Sequence, residues 1–136
     1  MSTYYPLKPF KNTIQGESLA CKCCGKHFYN IELVARLNYL QQKTRELYGK
    51  DLIINSGYRC SWHNAQVGGV KNSYHVQGMA ADLKVEGVES ARLAELAEQV
   101  GFTGIGIYPT FIHVDVRDQP AKWFFKQPLN NKGEPK

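Results

Sequence analysis

The chain has 136 residues, 43% of them hydrophobic and 21% charged, with a formal net charge of +5. That length suits one folded domain, and the composition excludes wholesale disorder, a collagen-like repeat and a coiled-coil rod. No window reaches the roughly 18 uninterrupted apolar residues of a membrane span, and the opening MSTYYPLKPFKN lacks the apolar centre of a secretory leader, so synthesis in the cytoplasm without membrane insertion is expected.

Residues 1–16, interrupted by Pro6 and Pro9, read as an irregular N-terminal arm, and residues 17–29 as a loop containing CKCCGKHF. Asn30 is a natural N-cap for a helix whose apolar face is Leu33, Val34, Leu37, Leu40 and Leu47, with Gly49 as its stop. In DLIINSGYR, the run Leu52, Ile53 and Ile54 predicts a buried strand closed by Ser56-Gly57. Residues 61–78 lack periodicity and read as a long loop, a class that is usually functional or disordered. A second strand is predicted over 80–85. A second helix follows from Ser90 to Val100, with Leu93, Leu96, Ala97 and Val100 inward and Gly101 after it. IGIY and FIHVDV alternate around Pro109-Thr110 as an antiparallel hairpin, AKWFF adds an edge strand, and 126–136 is a flexible tail. The expected fold class is therefore α+β: a small, mostly antiparallel sheet packed with two main helices in one domain, residues 17–125.

The positive charge favours polyanions, among them an acidic cell-wall polymer, but the basic residues are scattered and form no recognition helix or stripe, so nucleic acid is not an expected partner. Cys21, Cys23 and Cys24, with His27 close behind, could seed a zinc knuckle. Only Cys60 remains to supply a second ligand pair, so free thiols or one disulfide to Cys60 is the favoured reading.

The chemistry gathers around histidine and aspartate. His75 precedes Asp82 by seven residues, and His113 precedes Asp115 by two, which on a strand puts both side chains on one face. If Asp82 faces the same way and the 73–79 loop folds over it, two imidazoles and a carboxylate converge, with a second carboxylate nearby. Two histidines and one carboxylate suit a catalytic zinc that keeps an open position, and also non-haem iron. A carboxylate outside the ligand set can act as general base. Gly78, Ala80 and Ala81 would let the backbone pass close to the loop.

The run SGYRCSWHNAQVGGVKNSYHVQGMAADL, followed by GIGIYPTFIHVDVR, resembles the peptidase M15 family of zinc peptidases, especially the compact domains of bacterial and phage murein enzymes. The motif S-x-H-x-x-G-x-A-x-D is matched by Ser73, His75, Gly78, Ala80 and Asp82, and the later H-x-D by His113 and Asp115. The resemblance implies a small α+β domain, shared with the hedgehog signalling domain and lysostaphin-type peptidases. It also implies one catalytic Zn2+ held by His75, Asp82 and His113. Arg59 would hold a substrate carboxylate or stabilise the oxyanion, Ser73 would brace the metal loop, and His63 and Tyr108 join Arg59 and Ser73 as candidate substrate contacts. Several branches carry an acidic base three residues before the last zinc histidine. Thr110 stands there, so Asp115 is nominated as base, with orientation of His113 as its competing role.

The implied activity is hydrolysis of peptidoglycan stem peptides by a monomer, as a D-Ala-D-Ala carboxypeptidase or an endolysin-type endopeptidase reaching the wall after release. The alternatives are a catalytically silent, zinc-containing binding module and a nucleic-acid protein built on the cysteine cluster.

Overall fold

A computed structural model describes residues 14–70 and 73–124. Along the chain, a single 3-10 turn (Gly16–Leu19) leads to α1 (Ile31–Tyr48), β1 (Ile53–Ser56), α2 (Ser61–Gln66), β2 (Ala80–Lys84), α3 (Ser90–Gln99), β3 (Gly104–Ile107), β4 (Ile112–Asp115) and β5 (Ala121–Phe124). The strands form one sheet in the order β1-β2-β4-β3-β5. Three pairings are antiparallel, and β5 lies parallel to β3, so the expected α+β class and mostly antiparallel sheet are observed.

Helix α1 starts where its sequence says it should. The Asn30 side chain accepts from the Glu32 amide at 2.8 Å, and Gly49 ends the helix in the left-handed region at φ 66°. Leu33, Leu37 and Leu40 are buried against the sheet. Each such side chain is worth about 1.5–3 kcal/mol relative to exposure. Leu47, expected on the same face, is half exposed. The buried stripe turns instead towards Gln41 and Thr44, because Gln41 Oε1 accepts from the Leu52 amide at 2.6 Å and ties the helix to the approach of β1. Strand β1 is an edge strand with an alternating exposed and half-buried pattern, not the fully buried strand expected from its apolar run.

The expected long loop at 61–78 contains α2, which six residues without an apolar stripe did not announce. Its N-cap is Cys60, whose sulfur accepts from the His63 amide at 3.4 Å. The following turn depends on Asn64, whose Nδ2 donates to the Val70 carbonyl at 2.8 Å. A Cβ on Gly69 would lie 2.1 Å from Asn64 Oδ1, so the HN-x-x-VGG run packs a side chain directly on a glycine backbone.

The sheet has two unlike faces. Ala81 and Leu83 of β2, Ile112 and Val114 of β4, and Ile105 and Ile107 of β3 point into the core with α1 and α3. Ile14 joins that core, and its backbone exchanges two 2.9 Å hydrogen bonds with the Asn38 side chain. The expected tail at 126–136 and most of the N-terminal arm lie outside the described residues. No helix among the described residues is long and apolar enough to cross a membrane.

Candidate metal centre

Residues paired across neighbouring strands project from the same face. The register aligns Ser56 with Asp82, Asp82 with His113, His113 with Gly106, and Gly106 with Trp123, giving one row across all five strands. A second row aligns Ala80, Asp115, Gly104 and Ala121. His75 arrives from outside the sheet on a loop closed by its own backbone, with the Gly78 amide donating to His75 at 3.2 Å and the Met79 amide to Tyr74 at 3.0 Å. Gly78 has φ 72°, and a Cβ there would meet the Phe28 carbonyl oxygen at 2.5 Å. The close approach that requires this glycine is therefore to the segment before α1.

His75, Asp82 and His113 converge. His75 Nε2 lies 3.2 Å from Asp82 Oδ1, and His113 Nδ1 lies 3.1 Å from the same oxygen. The opposite ring nitrogens are already committed. His75 Nδ1 donates to the Gly57 carbonyl at 2.8 Å, and His113 Nε2 donates to Asp115 Oδ2 at 2.7 Å. Both partners are acceptors only, so each neutral imidazole carries its proton on the far side and turns a bare lone pair towards Asp82. Three acceptors facing one point, two from imidazole and one from a carboxylate, fit a divalent cation of borderline softness. Burial alone would raise the Asp82 carboxyl, but with no ion bound a proton on the facing nitrogens of His113 and His75 supplies hydrogen bonds that outweigh it and hold the group well below the usual carboxylate range; a divalent cation would take the place of that positive charge.

Asp115 is completely buried. Besides His113, it accepts from Arg117: the amide at 3.1 Å and Nε at 2.8 Å on Oδ1, and Nη2 at 2.6 Å on Oδ2. Burial opposes its ionisation, but the Arg117 and His113 hydrogen bonds prevail and lower its pKa to about 2. A Cβ on Gly104 would fall 1.9 Å from Asp115 Oδ1, so the carboxylate occupies the space that residue 104 leaves free. Arg117 is held in turn between two rings, 4.5 Å from the Tyr74 centroid and 5.1 Å from that of Trp123. Trp123 lies 5.3 Å from the His113 ring, over Gly106, where a Cβ would come within 2.5 Å of the indole.

The other expected residues fall around this centre. The Arg59 amide donates to the His75 carbonyl at 3.2 Å, and its Nε is buried without a hydrogen-bond partner among the described residues. Burial lowers the guanidinium pKa against the attraction of Asp82, which puts the two groups within electrostatic reach. Arginine keeps its charge under such a shift. Ser73 is buried, and its hydroxyl accepts from the His75 amide at 3.1 Å, bracing the loop. The Tyr108 hydroxyl accepts from Trp123 Nε1 at 3.4 Å, and its ring stacks on Phe111. His63 is half-buried on α2 and stands outside the three-residue ligand group. Thr110 is exposed in the β3–β4 turn.

Gly57, Gly104, Gly106, Arg117 and Trp123 are site residues that the sequence did not mark as such. The signal available was the alternation of glycine in GIGIY, which on a strand marks close approach by another group, and Arg117 at the next same-face position after Asp115.

A small α+β domain carrying two histidines and an aspartate on the open face of its sheet has the donor set of a mononuclear metallohydrolase. A family model described as peptidase M15 matches residues 12–115. The chain belongs to the peptidase M15 family. It is 38% identical over 95 residues to the probable peptidoglycan L,D-endopeptidase MepK of Haemophilus influenzae, covering 65% of this chain and 46% of that protein. Identity to the zinc D-Ala-D-Ala carboxypeptidase of Streptomyces albus G is 38% over 66 residues, 48% of this chain and 26% of that one. Identity to the peptidoglycan L,D-endopeptidase MepK of Escherichia coli is 33% over 73 residues, 48% of this chain and 40% of that one. The chain spans less than half the length of each of these relatives.

Proposed function

We propose that this domain is a zinc-dependent peptidase that hydrolyses peptide bonds in the stem peptides of peptidoglycan, acting at the cell wall as a monomer. The observation that carries the reading is the convergence of His75 Nε2 and His113 Nδ1 on one Asp82 oxygen, at 3.2 and 3.1 Å, with the opposite ring nitrogens held by the Gly57 carbonyl and Asp115. The names of the three relatives supply the substrate class. Cleavage within the stem peptide is the preferred form, because of these three the relative sharing most of this chain is named an endopeptidase. Release of a terminal residue is the second form.

His75, Asp82 and His113 would hold the ion. When bound, zinc supplies Lewis acidity at the scissile carbonyl and acidifies water. Gly57 and Asp115 keep the two imidazoles in the ligating tautomer and orientation, as groups behind metal-bound histidines generally do. We assign Asp115 that orienting role and not the role of general base, because its oxygens already accept from His113 and Arg117 and it has no exposed surface. Arg59, charged and with an Nε unpartnered among the described residues, would take a substrate carboxylate or the developing oxyanion.

Two variants separate these roles. Asp115→Asn is expected to weaken zinc affinity by about 10–100-fold, measured by competition with a chromogenic chelator. Unchanged affinity with lost turnover would return Asp115 to the role of base. Arg59→Ala is expected to retain zinc while kcat/KM falls by about 100-fold; loss of the metal as well would make Arg59 a folding residue. The function itself is tested by mass spectrometry of products from a defined muropeptide. Zinc-loaded protein that binds peptidoglycan and releases nothing would replace the peptidase by a binding module.

A further inference from the structure

All four cysteines are unbonded, and they meet in one place. Cys21, Cys23 and Cys24 come from the loop before α1, and Cys60 from the segment after β1. The four sulfurs all lie within 4.8 Å of one another, with Cys21 Sγ 3.5 Å from Cys23 Sγ and Cys23 Sγ 3.4 Å from Cys60 Sγ. Four sulfurs around a tetrahedral zinc at about 2.3 Å stand roughly 3.8 Å apart, close to the spacing found. A disulfide needs about 2.0 Å and would leave two thiols without a partner.

We propose that Cys21, Cys23, Cys24 and Cys60 bind a second zinc ion in a closed, four-thiolate structural site, separate from the centre at His75, Asp82 and His113.

The backbone is arranged for such a site. The Cys21 amide donates to the Lys26 carbonyl at 2.7 Å and the Gly25 amide to the Cys21 carbonyl at 2.9 Å, which folds the three cysteines into a tight loop. Gly25, at φ 74°, supplies the left-handed residue that this turn needs. Two amides point at sulfur: that of Cys60 at Cys21 Sγ, 3.5 Å, and that of His63 at Cys60 Sγ, 3.4 Å. Such hydrogen bonds favour the thiolate over the thiol. Binding converts the four thiols to thiolates and releases their protons. An all-sulfur tetrahedral set selects zinc or iron and leaves no position for substrate, so its role is structural.

The site explains how the wall of the other centre is held. Cys60 directly follows Arg59 and caps α2. The Tyr58 amide donates to the Leu19 carbonyl at 2.8 Å, and Gly57, whose carbonyl fixes His75, packs so tightly on Leu19 that a Cβ would lie 2.7 Å from its backbone. A metal joining residues 21–24 to residue 60 clamps that contact at its open end. Closing a loop of this length through a metal stabilises the fold by removing freedom from the unfolded chain.

The test counts metal in the purified full chain, made in zinc-supplemented medium under reducing conditions. Elemental analysis of wild type is expected to give about two zinc per chain. Asp82→Asn is expected to keep about one, released when a mercurial titrates the thiols. Cys23→Ser/Cys24→Ser is expected to lose that one, and if it does not fold, the mercurial titration of Asp82→Asn decides alone. Free thiols with no zinc in Asp82→Asn, a mass lower by two hydrogens from a disulfide, or iron in place of zinc would each overturn the proposal. A wild type with one zinc that survives Asp82→Asn and leaves with the mercurial would support the cysteine site while refuting the histidine centre.

Discussion

Asp82→Asn is expected to yield a folded protein that has lost metal from the His75–His113 centre and hydrolyses peptidoglycan at least about 1000-fold more slowly. The size follows from removing a Lewis acid worth several kcal/mol of transition-state stabilisation. The fold survives because an amide has the shape of the carboxylate and carries two N–H donors. They can satisfy the two nitrogens, His75 Nε2 and His113 Nδ1, that Asp82 Oδ1 now faces at 3.2 and 3.1 Å. His75→Ala and Asp82→Ala should lose zinc and hydrolysis equally. Asp82→Asn with native circular dichroism, full zinc at this centre and normal turnover would show that the three side chains do not share an ion.

Gly104→Ala is expected to be among the most damaging single-methyl changes in the domain. The added Cβ would fall 1.9 Å from Asp115 Oδ1 and 2.3 Å from its Cγ, at a residue with no exposed surface. The carboxylate cannot withdraw without leaving the Arg117 fork and His113 Nε2. Overpacking costs about 1–3 kcal/mol, and breaking a buried ion pair about 3–5 kcal/mol. The midpoint of thermal unfolding should therefore fall by more than about 10 °C. Zinc affinity should fall with it, because His113 loses the group that orients it. A variant as stable as wild type and with undiminished zinc affinity would mean that Asp115 does not occupy the space beside residue 104.

The two predictions draw on features of very different legibility. Asp82 stands in a local pattern, seven residues after His75 and followed at a distance by His113-x-Asp115, and the chemistry of those side chains suggested a metal before any contact was known. Gly104 carries no such mark. Its importance exists only because β3 pairs with β4 in a register that puts Gly104 opposite Asp115. Arg117 was legible as a same-face neighbour of Asp115, but its clamp between Tyr74 and Trp123 depends on a loop and a parallel edge strand meeting over the sheet. The cysteine cluster shows the same limit. Three cysteines within four residues suggested an incomplete knuckle, and only the fold brings Cys60 within 3.4 Å of Cys23 to complete a four-sulfur set.

By itself the sequence determined the α+β class, the limits of α1 and α3, the β3–β4 hairpin and the identity of the metal-ligand candidates. These follow from local periodicity, capping and side-chain chemistry, which act over a few residues. The tertiary structure alone decided which nitrogen of each histidine is free, that Asp115 faces Arg117 behind His113, that Leu47 leaves the core for Gln41 and Thr44, and that α2 forms within an aperiodic stretch. Those outcomes depend on strand register and on contacts between residues far apart in the chain, whose energies no local pattern records.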